Sequence, residues 1–156
     1  MSSPTELIAE PDAVVLDLEA ETGEAAVRLL HGRLTEVSEA ISNAADFLRD
    51  VFQRMKESPV GIADDVALPH ARTNAVSRIV IGVGRTRNPV PFDAGHPAVR
   101  LIFLIGTPKN EVTGYLKVVA SLSRVLRNPA IRAGLYSATN EAEFRALLSG
   151  GVAARR

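Results

Sequence analysis

Two apolar runs, Ile79-Val80-Ile81-Gly82-Val83 and Leu101-Ile102-Phe103-Leu104-Ile105, decide most of what this chain can fold into. Neither alternates polar with apolar residues, so a strand built from either has no face to give to water and must lie inside a covered sheet. Even with Gly106 added, the second run reaches only six residues. A membrane-spanning helix needs about 20, so the runs read as buried strands.

Helical patterns interleave with these strands. Thr22-Gly23-Glu24 opens a helix to about Val37 with Val27, Leu30, Leu34 and Val37 on one face. Asn43, with Asp46 three residues on, caps a second helix whose apolar residues are Phe47, Leu48, Val51, Phe52 and Met55, ending before Pro59. A third helix from about Glu111 to Leu126 presents Val112, Leu116, Val119 and Leu126. Two shorter helices, roughly Ala130 to Tyr136 and Asn140 to Leu148, follow the break at Arg127-Asn128-Pro129. With short extended segments at Val14-Val15-Leu16 and Val66-Ala67-Leu68, the order predicts an α/β layered fold with helices on both faces of a mainly buried sheet.

The 156 residues suffice for one well-cored domain, since a chain of this size buries about two thirds of its unfolded surface. Residues 13–149 read as that domain, with 1–12 and 150–156 as flexible ends. Eighteen Lys and Arg balance eighteen Asp and Glu, so no net field draws the chain to nucleic acid or an anionic membrane. The absence of Cys excludes disulfides, thiolate metal sites and a thiol nucleophile. The N-terminus lacks the basic-then-apolar layout of a secretory signal, which gives a cytoplasmic expectation.

Chemistry near neutral pH falls to three histidines. His31 reads as a partly exposed residue of a helix surface, and His96, in Asp93-Ala94-Gly95-His96-Pro97, as a turn residue. His70 is different: Pro69 stiffens the chain before it, Ala71 after it is small, and Arg72 lies two residues on. An imidazole so held can ligate a metal, act as a general base or become a covalent nucleophile. The histidines are too scattered for a zinc set, and the chain has no G-x-S-x-G elbow, no G-x-G-x-x-G and no P-loop. Neighbouring Asp64 and Asp65 point to opposite sides of an extended segment, which makes them a solvated turn in place of an acid–base dyad.

Residues Gly61-Ile62-Ala63-Asp64-Asp65-Val66-Ala67-Leu68-Pro69-His70-Ala71 resemble the signature around the phosphorylated histidine of phosphotransferase-system enzyme IIA domains of the fructose–mannitol type, including the nitrogen-regulatory ones. Arg54 falls where that family places an active-site arginine, and Pro91-Phe92-Asp93-Ala94 resembles its FDA turn. The resemblance covers nearly the whole chain. It implies a mixed, roughly five-stranded sheet with helices on both faces, and an imidazole that takes a phosphoryl group from a phospho-HPr protein. The next acceptor would be a IIB domain, or none in a regulatory relative.

On this resemblance His70 is the phosphoryl acceptor and Arg54 stabilises the added charge, with Arg72 a second choice. Tyr115 stands at the family's second-histidine position and can donate a hydrogen bond, though it cannot share that histidine's proton chemistry. Met55 occupies a place where the family usually has an acid, and Asp64 and Asp65 stand where relatives often have Gly or Asn. A phosphohistidine carrier needs neither cofactor nor metal, because the phosphoryl group arrives on one protein and leaves on another. Loading would make the chain a phosphotransferase component. The alternative is a regulatory module of the same fold that binds partners without being phosphorylated. No IIB or membrane domain is attached, which favours a stand-alone regulatory type.

Overall fold

The computed structural model describes residues 8–153, with side chains described to residue 150. The chain gathers into two compact units, Asp12–Asn110 and a second made of Glu111 onward with the residues before Asp12.

The first unit runs β1 (Ala13–Leu18), α1 (Gly23–Val37), α2 (Ala44–Glu57), β2 (Gly61–Ala63), β3 (Val66–Ala67), β4 (His70–Arg72), β5 (Val80–Val90) and β6 (Val99–Thr107). The strands form one mixed sheet ordered β1-β5-β6-β3-β2, with β4 also on β6. β5 and β6 pair antiparallel at its centre, while β1 joins β5 and both β3 and β4 join β6 in parallel. Both faces of the central pair are sealed: Val80, Ile102 and Leu104 on one side, Ile81, Phe103 and Ile105 on the other, all at most 1% exposed. The uninterrupted apolar runs required this.

Six strands occupy five lines. Val66 pairs Leu101, Ala67 pairs Ile102 and, after a gap, His70 pairs Ile105, so β3 and β4 hold one register along β6. Pro69 makes the gap, because it has no N–H to donate to the ladder. Its carbonyl still accepts from Ile105 N–H at 3.0 Å, which carries the strand across the break.

α1 and α2 cover the same sheet face. Leu30 and Leu34 of α1 lie against Gly82 and Gly84, and Phe47 of α2 presses on Gly106, where a Cβ would collide with its ring. The caps are those the sequence marks: Thr22 Oγ1 accepts from Ala25 N–H at 3.1 Å and Asn43 Oδ1 from Asp46 N–H at 3.0 Å. β5 outruns the expected Ile79–Val83 and reaches Val90, with a register shift between Arg85 and Val90 that accommodates Pro89.

The second unit holds α3 (Val112–Arg127), α4 (Pro129–Ser137) and α5 (Glu141–Ala153). Asn128 and Asn140 cap the last two. α3 differs from the sequence reading. It buries Gly114, Val118, Ser121, Leu122, Val125 and Leu126, while Val112 and Leu116 are exposed. The helix carries two apolar stripes, and packing selected the one that includes small residues. α5 continues through Gly150 to Ala153, since glycine costs a helix about 1 kcal/mol without breaking its hydrogen bonds. At the other end Ile8 is buried, 2% exposed, within the stretch read as flexible. Residues 1–7 and 154–156 of the two expected flexible ends lie outside the described residues.

Candidate functional site

His70 is the first residue of β4 and half-buried. By strand alternation its side chain leaves the sheet on the face of Ile105, its register partner. Its Nδ1–H donates to the Leu68 carbonyl at 2.9 Å. A carbonyl can only accept, so Nδ1 carries the proton and the neutral ring keeps its lone pair on Nε2. Burial lowers the ring's pKa, the Leu68 carbonyl offsets part of that, and the Arg54 cation lowers it further. These effects together favour the neutral form of the imidazole.

Leu68 can serve this way because of the broken strand. Its N–H bonds the Val60 carbonyl at 2.7 Å, so its own carbonyl belongs to the edge facing β2 and not to the β6 ladder. No side-chain signal in the sequence marks a backbone acceptor two residues before a histidine.

Arg54 lies in the last turn of α2, exposed, where a cation also suits the helix dipole. α2 packs against β4, and the Arg54 charge acts on the His70 ring. Near an imidazolium that charge is unfavourable; near a phosphoryl dianion it is favourable. Met55, beside it in sequence, is half-buried and packs against the core. Arg72 is exposed and donates to the Lys109 carbonyl at 2.6 Å. Tyr115 belongs to the second unit, in the first turn of α3, and is half-buried.

Asp64 and Asp65 form the turn between β2 and β3, as expected, with the Asp65 carbonyl accepting from Arg100 and Leu101 N–H at 2.8 and 3.1 Å. His96 braces its turn: Nδ1–H donates to Asp93 Oδ1 at 2.8 Å, and its ring fills the space a side chain at Gly61 would need. His31 corrects the sequence reading. It is buried, only 8% exposed, with Nε2–H donating to the Ala44 carbonyl at 2.9 Å and its ring tilted against Phe47. The helix turns it toward α2, which a view of α1 alone does not reveal. One buried hydroxyl, Thr107 Oγ1 opposite Arg72, has no hydrogen-bond partner among the described residues.

Among the described residues no helix is long and apolar enough to cross a membrane, and no cluster of three or more His, Cys, Asp or Glu could hold a metal ion.

Comparison with known proteins shows what this sequence and fold are similar to. The sequence is 30% identical over 140 residues to the PTS system 2-O-alpha-mannosyl-D-glycerate-specific EIIABC component of Escherichia coli K12, covering 88% of this chain and 21% of that protein. It is 27% identical to a nitrogen regulatory protein of Bradyrhizobium diazoefficiens, covering 81% of this chain and 82% of the other. The crystal structure of nitrogen regulatory protein IIA-Ntr from Neisseria meningitidis superposes with a TM-score of 0.78 at 29% identity, covering 91% and 99% of the two chains. Against the transport component the chain therefore spans about a fifth of the relative's length. Residues 7–150 match the family described as phosphoenolpyruvate-dependent sugar phosphotransferase system, EIIA 2, and the chain belongs to that family.

Proposed function

We propose that this chain is a phosphohistidine carrier of the phosphoenolpyruvate-dependent phosphotransferase system, with His70 Nε2 as acceptor. The observation that carries the reading is the Nδ1–H to Leu68 carbonyl bond, which fixes the tautomer that leaves Nε2 nucleophilic. In the transfer, the phosphorus–nitrogen bond of a phosphohistidine on an HPr-type protein breaks as the bond to Nε2 forms. The donor imidazole leaves with the electron pair of the broken bond, and the Nδ1 proton of His70 stays in place. Phosphorylation draws electron density from the ring, which strengthens the donation to Leu68. Arg54 offers its guanidinium to the phosphoryl oxygens. Tyr115 enters through the resemblance alone, as a hydroxyl donor at the family's second-histidine position. The loaded group then passes to a IIB domain or remains as a signal to a regulatory target protein, in the cytoplasm.

The replacement of that histidine by Tyr115 favours one second reading, a binding module that no longer carries phosphate. Incubation with enzyme I, HPr and phosphoenolpyruvate, followed by intact mass, decides between the two. An acid-labile gain of one phosphate that disappears in His70→Ala supports the carrier. No gain with any of several HPr proteins supports the module.

A further inference from the structure

We propose that the outer edge of β1 is a pairing surface for a second copy of this chain, joined antiparallel so that Arg33 of each copy meets the partner's Asp17. β1 is the last strand of its sheet, with β5 on one side only. Ile81 turns both its N–H and its carbonyl toward Asp12, and Val83, two residues on, is in register with Val14, so Ala13 and Val15 bond β5 while the main-chain groups of Val14 and Leu16 face away from it. Beside that edge runs a groove of about 620 Å³ between β1 and α1, lined by Val14, Val15, Leu16 and Leu29, with Asp17 and Arg33 also in its walls. Leu29 is 53% exposed, although it is a leucine in the middle of a helix.

The charges are laid out in a direction. Gly84, register partner of Val15, abuts Leu30; Gly82, partner of Ala13, abuts both Leu30 and Leu34. α1 therefore runs antiparallel to β1, which puts Leu29 near the level of Val15 and Arg33 near that of Ala13. Asp17 lies toward the opposite end. The groove is basic at the start of β1 and acidic at its finish, with an apolar middle.

An occupant that fits is an extended segment, apolar and then acidic, running antiparallel to β1. β1 is itself such a segment, Ala13-Val14-Val15-Leu16-Asp17. Pairing two copies about Val15 sets each Asp17 opposite the partner's Ala13, next to the partner's Arg33, and brings the two Leu29 side chains together across the axis. The same patch serves both copies, so the contact closes as a dimer. Asp17 has a left-handed backbone, φ 57°, where the β1 register shifts, and this bulge ends the pairing after a few residues. The Arg33–Glu36 pair on α1 competes weakly, since both side chains are more than half exposed. An interface of this length lies at the small end of specific contacts, so the dimer is concentration-dependent.

Sedimentation equilibrium of the full chain from micromolar to millimolar concentration tests this. The expected result is a monomer–dimer equilibrium weakened at least about tenfold by Arg33→Glu and by Asp17→Lys, and restored in the Arg33→Glu/Asp17→Lys double variant. Amide exchange on the unaltered chain supplies a readout that needs no variant: exchange at Val14 and Leu16 slows as concentration rises. A chain that stays monomeric throughout, exchange at those amides independent of concentration, or a dimer indifferent to both charge reversals overturns the proposal.

Discussion

His31 and His70 start from the same physics and arrive at different uses. Each ring is desolvated, each donates one N–H to a backbone carbonyl at 2.9 Å, and each has its pKa pushed below the ordinary histidine value, by burial first in both cases. A nearby arginine adds to the lowering, Arg28 for one and Arg54 for the other. The difference is which nitrogen donates to the carbonyl. His31 spends Nε2, the far end of the ring, on Ala44 and lays its face on Phe47, so it pins α1 to the start of α2. His70 spends Nδ1, the near end, on Leu68 and keeps the lone pair at the tip of the side chain. His31 is anchored by its tip as a brace; His70 is anchored at its base, which is what the proposed carrier role requires.

The largest expected effect separates the two outright. His70→Ala removes phosphate loading altogether, while His31→Leu loads normally, both read by intact mass after incubation with the donor proteins. Next is Arg54→Ala, which is expected to slow loading roughly 100-fold, the usual effect of deleting one donor to a developing charge. The same change raises the His70 pKa, because a cation that lowered it is gone; a nuclear magnetic resonance titration that finds the pKa unmoved would remove Arg54 from the site.

Stability sharpens the contrast at smaller scale. His31→Leu is expected to lower unfolding free energy by about 1–3 kcal/mol, since the Ala44 carbonyl loses a partner; an unchanged urea midpoint would show that the bond contributes nothing net. Both folded pKa values lie below the unfolded value of about 6.5, so the native state binds fewer protons than the unfolded state in between. Stability is full above that value and falls on acidification until the depressed folded values are passed. His31→Leu and His70→Gln should each flatten part of this slope, and denaturation at a series of pH values measures it. The smallest effect is expected at Thr107→Val, which replaces a buried hydroxyl that has no hydrogen-bond partner among the described residues by a methyl group and should stabilise by up to about 1 kcal/mol.

Local signals carried much of the fold. Asn43 caps the helix it was expected to cap, because an Asx side chain and an amide three residues on suffice to set that geometry. The apolar runs at Ile79 and Leu101 became the central strand pair because no other position hides both of their faces. What failed depended on partners distant in sequence. α3 offered two apolar stripes, and only packing could choose between them. His31 looked like a surface residue until α2 was laid across it. The short strand β4 was hidden because three residues after a proline have no periodicity of their own; pairing with Ile105 to Thr107 defines them. At the proposed site, His70 and Arg54 were named through family resemblance, whereas the Leu68 carbonyl, a main-chain atom, left no trace in the side chains.

The unbroken register across Pro69 bears on how any loaded form would be recognised. With β6 clamping the chain on both sides of the interruption, His70 has little room to shift when its ring gains a substituent. A protein that tells the charged carrier from the empty one would then be sensing electrostatic potential at a fixed place, so added salt should blunt that discrimination more than any stiffening of the backbone.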